Sequence, residues 1–268
     1  MKKAVVGSLT AIAGLGLAQL GLAQLGLAQS ADAADLGARP LLSSDSTWTG
    51  LYGGINVGGL SASGDAQWTP LPSPALSGFD ATTSDMHASG LVAGFQAGFN
   101  YQIAPAWVAG IESDFTGSHA TSSALSPWTA FGTNVPLAGA FTKEIRTLEW
   151  LTTARGRIGF LVTPATLLYL TGGAAWAGAS YAGGNAAPIG HGYATAVSFF
   201  QAQSGYVVGG GLEYLSWDRW LLRGEYLFHR FNDVSAVATA PNFPNFPSGY
   251  SWTGFDVHEV RAAVSYKF

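Results

Sequence analysis

Apolar and polar residues alternate with a period of two through 255–268, FDVHEVRAAVSYKF. Val260, Ala262, Val264, Tyr266 and Phe268 fall on one side, and Glu259, Arg261, Ala263, Ser265 and Lys267 on the other. That period marks a strand, because successive side chains of a pleated chain point to opposite faces. Other segments read the same way, so the predicted strands are 48–58, 90–101, 107–116, 148–162, 166–178, 205–215, 220–231 and 255–268. Nearly every strand charge keeps to one face. Segment 107–116 sets Trp107, Ala109, Ile111 and Phe115 against Glu112 and Asp114. Segment 148–162 sets Leu148, Trp150, Thr152, Ala154, Ile158 and Phe160 against Glu149, Arg155 and Arg157. In 205–215, Tyr206, Val208, Leu212 and Tyr214 oppose Glu213, and in 220–231, Trp220, Leu222, Tyr226 and Phe228 oppose Arg223, Glu225 and His229. Segment 166–178 is nearly neutral, with Leu168, Leu170 and Trp176 on its apolar side.

The connections alternate in length. Short turns occupy 102–106, 163–165 and 216–219, and long stretches rich in Ser, Pro, Ala, Gly and aromatics occupy 59–89, 117–147, 179–204 and 232–254. Four structureless loops of that length argue against a compact soluble domain. They suit an outer-membrane barrel, where turns are short on one side and loops long on the other. About ten residues at ~3.3 Å each, tilted near 40°, span its ~25 Å apolar band. A lipid-facing Arg or Lys at mid-bilayer costs about 2–4 kcal/mol, so the charged face must be the lumen. Closure also removes sheet edges that hydrocarbon could not satisfy. The expected fold is all-β: an eight-stranded antiparallel up-and-down transmembrane β-barrel. Both termini and the short turns are expected on the periplasmic side, with four long extracellular loops.

Composition agrees. Only 10% of residues are charged, little polar cover for a water-soluble surface. The 36 glycines disfavour helices, where each costs about 1 kcal/mol relative to Ala. With no cysteine, disulfides, thiolate zinc sites and Cys nucleophiles are excluded. Lys2 and Lys3 precede an apolar run over 4–28 that repeats LGLAQ from Leu15, Leu20 and Leu25, and Ala31-Asp32-Ala33 follows. This pattern predicts a signal peptide over 1–33, a short periplasmic leader over 34–47 and the barrel over 48–268. Removing Lys2, Lys3 and Asp32 leaves 10 of 12 basic and 15 of 16 acidic residues, which lacks the basic footprint of a nucleic-acid partner.

The inward charges are Glu112, Asp114, Glu149, Glu213, Glu225 and Glu259 against Arg155, Arg157, Arg223, Arg261 and Lys267. Side chains can just fill a barrel of eight strands, and an unpaired buried charge is expensive. The expectation is a paired network that plugs the lumen. Trp48, Tyr101, Trp107, Trp217, Trp220, Tyr266 and Phe268 lie near predicted periplasmic strand ends, where an aromatic girdle belongs. Histidines pair in sequence with acids (His229 near Asp233, His258 beside Asp256), but no nucleophile motif accompanies them, so no enzyme is expected. The five histidines show no ligand spacing, so no metal or cofactor is expected. His87, His119 and His191 are the candidates for an external haem contact. Trp128, Phe131, Phe243, Phe246, Tyr250 and Trp252 stand in the long connections. Two readings remain open for them: an adhesive surface, or a cover packed over the barrel mouth.

The leader AADL and Trp48-Thr49-Gly50-Leu51-Tyr52-Gly53-Gly54 resemble the start of small alphaproteobacterial outer-membrane proteins of the OmpA-like, opacity-type barrel group, the porin-like surface antigens. Arg223-Gly224-Glu225-Tyr226 and the closing 260–268 resemble that group's last strands. The resemblance covers the strands and not the loops. It implies a surface barrel of the bacterial outer membrane, surrounded by lipid and lipopolysaccharide. It also implies that the assembly machinery reads the C-terminal strand, and that loops could meet host or cell-surface ligands. The function expected is structural, in envelope integrity and surface interaction. The alternative is binding or transport of haem or a small solute.

Overall fold

The computed structural model describes residues 48–71, 77–188, 192–216 and 219–268. The predicted signal peptide, the whole of the predicted leader, Trp217 and His191 lie outside them. Ten strands form one antiparallel sheet: β1 (Gly50–Pro70), β2 (Thr82–Ala104), β3 (Trp107–Thr129), β4 (Pro136–Thr163), β5 (Thr166–Ala187), β6 (Tyr193–Leu215), β7 (Trp220–Phe231), β8 (Val234–Ala240), β9 (Phe243–Trp252) and β10 (Asp256–Lys267). Neighbours pair in sequence order from β1 to β7, β7 pairs with β10, and β10 returns to β1. Eight strands therefore close a ring. Leu51, Ile55, Phe95, Ile111, Ile158, Leu170, Leu212 and Val260 stand exposed on its outer wall, as lipid-facing positions require.

The four long connections differ from expectation. Most of their residues are strand. β3 has 23 residues, about 75 Å of chain and, tilted near 40°, more than ~50 Å of height. That is about twice the apolar band, so the barrel wall continues well past the lipid. Alternation is muted there because neither face is strongly apolar. Along β3, His119, Thr121 and Ser123 point outward toward water while Ala120 and Ser122 point inward. The last long connection folds into the β8–β9 hairpin. β9 pairs with β1 from Ala66↔Trp252 to Pro70↔Ser248, and β8 lies beside β6. In the upper wall, away from the C-terminus, the hairpin thus takes the place of the shorter β7 and β10.

The interior is layered. Trp48, Tyr52, Val108, Leu167, Tyr169, Leu215 and Leu221 fill the lower end, near the C-terminus. Leu60, Val92, Leu148, Leu151, Val207, Leu227, Phe231, Phe255 and Val257 fill the middle. An aromatic layer around Trp68, Trp128, Tyr181, Tyr250 and Trp252 fills the upper end. Of the two readings of the connection aromatics, packing over the mouth describes Trp128, Tyr250 and Trp252, which are buried, while Phe131 and Phe246 remain exposed.

Candidate functional site

Between the lower and middle apolar layers, strand alternation directs charges from β3, β4, β6, β7 and β10 into one cluster. Register already opposes unlike charges on neighbouring strands: Glu112↔Arg155, Glu213↔Arg223 and Glu225↔Arg261. Such cross-strand neighbours meet readily. Longer links then cross the lumen. Arg155 pairs with Glu112, with Asp114 at 2.9 Å and with Glu225 at 3.0 Å. Arg223 reaches Glu112 at 2.6 Å and Glu213 at 3.2 Å, and Arg157 pairs with Glu213. Arg261 holds Asp114 at 2.9 Å and Glu225 at 2.8 Å, and approaches Glu259 at 3.5 Å. These charged side chains are at most 2% exposed, so each depends on its partners rather than on water.

Aromatic residues complete the cluster. The Tyr52 hydroxyl donates to Glu112 at 2.5 Å and accepts from Arg157 at 3.0 Å. Tyr169 donates to Glu225 at 2.8 Å, and the Arg157 guanidinium lies 4.1 Å from the Tyr169 ring centroid. His229 contacts Glu259 at 3.1 Å. The sequence reading did not place Tyr52, Tyr169 or His229 in the network. Their inward alternation was legible, but their reach across the lumen depends on which strands face one another.

Two predicted members lie elsewhere. Glu149 is exposed on the outside, where it accepts from Ser180. It is the extra residue of a bulge, since Leu148 pairs with Ala179 but Trp150 pairs with Gly178. A bulge shifts the alternation by one, so Leu148 points inward, not to lipid as expected. Lys267 sits half-buried at the strand end beside Gly50 and Arg219, outside the network.

The predicted girdle needs one correction. Trp48 is 1% exposed and turned inward, with its Nε1 donating to the Pro164 carbonyl at 3.1 Å. Its backbone N–H donates to Gln102, so it is tied beneath two turns and closes the lower end. Tyr101, Trp107, Trp220, Tyr266 and Phe268 are on the outer wall, where Trp220 and Tyr266 meet edge to face at 5.3 Å. Of the candidate haem contacts, His87 and His119 both point outward. His87 lies five residues from Val92, whose partner Ser118 adjoins His119, a stagger of about 13 Å along the wall. They do not converge. Among the described residues no His, Cys, Asp and Glu group is arranged to hold a metal ion.

The sequence model of the outer membrane protein beta-barrel domain matches residues 20–268. The chain is 29% identical over 228 residues to the 31 kDa outer-membrane immunogenic proteins of Brucella melitensis biotype 1 and Brucella suis biovar 1, covering 83% of this chain and 84% of each relative. Among solved structures, the outer membrane protease OmpT from Escherichia coli superposes at TM-score 0.43 with 11% identity, covering 82% of this chain and 97% of that one. Ail, the attachment invasion locus protein of Yersinia pestis, does so at TM-score 0.30 with 12% identity, covering 78% and 99%. With its charged lumen and apolar wall, the chain belongs to the outer membrane protein beta-barrel domain family and is a β-barrel protein of the bacterial outer membrane.

Proposed function

We propose that this outer-membrane barrel is a structural and surface-presenting protein whose lumen carries no solute. The observation behind this reading is the arginine-carboxylate network that crosses the lumen between two apolar layers. An ion entering there would have to separate buried partners, which is strongly unfavourable. The upper wall, with polar outward residues such as Asp65, Asp85, His87 and His119, suits the extracellular side. It would carry any surface contacts, with Phe131 and Phe246 exposed there. On the lipid wall, Val260, Val264, Tyr266 and Phe268 of the last strand are the side chains that the assembly machinery would meet. No reaction is assigned, because His229 is engaged by Glu259 deep in the lumen and His258 by Tyr226 on the wall.

Planar-bilayer recording of the purified protein tests this directly. The expected result is no sustained conductance from the wild type, whereas steady large openings would overturn the proposal. The same preparation addresses the alternative: haemin retained by the wild type and lost with His87→Ala and His119→Ala would favour a haem protein.

A further inference from the structure

The aromatic layer of the upper barrel is not completely filled. A cavity of ≈180 Å³ opens beside Trp68 and Trp128, whose rings stack with centroids 4.3 Å apart. Phe79 lies 5.0 Å from Trp128, Tyr193 5.7 Å from it, and Phe243 5.6 Å from Tyr193. Phe246, exposed, stands at the rim.

Volume, lining and polarity together select a ligand class. An apolar cavity of about 150 Å³ holds one benzene ring, so this one admits a single ring and excludes a macrocycle such as haem. Aromatic walls offer offset and edge-to-face contacts that suit an aromatic guest. The polar atoms of the rings are already engaged. Trp68 Nε1 donates to Ser248 at 2.8 Å, Trp128 Nε1 to Thr142 at 2.8 Å, and the Tyr193 hydroxyl to the Phe246 carbonyl at 2.8 Å. The other polar side chain of the lining is Ser77, whose Oγ accepts from the Phe79 backbone N–H at 3.3 Å. A sugar or a carboxylate would therefore meet a single side-chain hydroxyl and leave most of its polar groups unpaired, at a desolvation cost. No charged residue lines the cavity among the described residues. An ammonium head would find ring faces, but Trp68 and Trp128 each turn one face to the other. We propose that this cavity is a binding site for a neutral, single-ring aromatic molecule that enters past Phe246.

The test uses the mature barrel in lipid nanodiscs with fluorobenzene as the probe, followed by fluorine NMR against empty nanodiscs. Saturable, protein-dependent broadening is expected, displaced by toluene and not by tetramethylammonium. Phe246→Ala, at an exposed rim, and the double variant Phe243→Ala/Phe246→Ala should weaken binding, the double by about fivefold through loss of aromatic wall. Heat-modifiable migration identifies variants that remain folded, and Phe246→Ala alone decides if the double variant does not. Binding no greater than in empty nanodiscs, unchanged binding in a folded variant, or displacement by tetramethylammonium would each overturn the assignment.

Discussion

The lower lumen and the upper barrel are enclosed by the same continuous wall, yet their interiors are stabilised by different means. In the lower half, arginines and carboxylates link β3, β4, β6, β7 and β10 by charge. In the upper half, the neutral Ser248 hydroxyl joins Trp68, Asn185 and Tyr193. Both halves use glycine for close approach. A side chain at Gly98 would collide with the Tyr52 phenol, and one at Gly183 would lie 2.7 Å from the Tyr250 ring. The charges that are buried above, Glu144 and Arg146, have no arginine-carboxylate lattice around them. Ser84 donates to Glu144 at 3.3 Å, and the Arg146 guanidinium lies 4.3 Å from the Phe255 ring centroid. The difference follows from surroundings. A fixed cross-lumen lattice suits the segment enclosed by lipid, where charge cannot be relieved from outside. The upper half has water on its outer wall and can be held by packing and neutral hydrogen bonds.

Breaking the lower lattice should have the largest effect. Arg155→Ala leaves Glu112, Asp114 and Glu225 short of a shared partner, and removing one member of a buried pair costs about 3–5 kcal/mol. Urea unfolding of the barrel in lipid vesicles measures it. A loss below about 1 kcal/mol would mean that water compensates these charges and that the lattice is not what holds the lower half.

In the upper half, Trp68→Ala removes the stack on Trp128 and the hydrogen bond to Ser248. A loss of about 3 kcal/mol is expected from burial alone, with bilayer conductance unchanged. If Trp68→Ala opens a channel while Arg155→Ala does not, the roles of the two halves are reversed.

The smallest effect, read per pH unit, concerns pH. Burial pushes the Glu144 carboxyl from the ordinary 4.5 up to about 7, against a smaller lowering by the Ser84 hydroxyl. The folded state keeps this proton where the unfolded chain has lost it. The resulting stability is complete below about 4.5 and declines as pH rises through 7, by at most about 1.4 kcal/mol per unit. Glu144→Gln should flatten that slope in unfolding midpoints measured from pH 4.5 to 7. An unchanged slope would show that another group carries it.

Local pattern determined much of this protein. A charge facing lipid is costly for each strand separately, so alternation alone identified the eight-stranded ring and placed Glu112, Asp114, Arg155, Arg157, Glu213, Arg223, Glu225, Glu259 and Arg261 on its inner face. Where both faces are small or polar, as in Ser122 and Ser123 of β3, alternation carries no contrast, and the strand extensions were read as loops. One bulge residue was enough to turn Glu149 outward, because a period of two has no tolerance for an insertion. Only the closed sheet could decide the rest. Register and barrel closure put Arg155 opposite Glu225, turned Trp48 inward over the Pro164 carbonyl, and folded 234–252 into the upper wall. Apart from the pairing inside the 234–252 hairpin, those relations join residues far apart in sequence, which no local pattern can bring together.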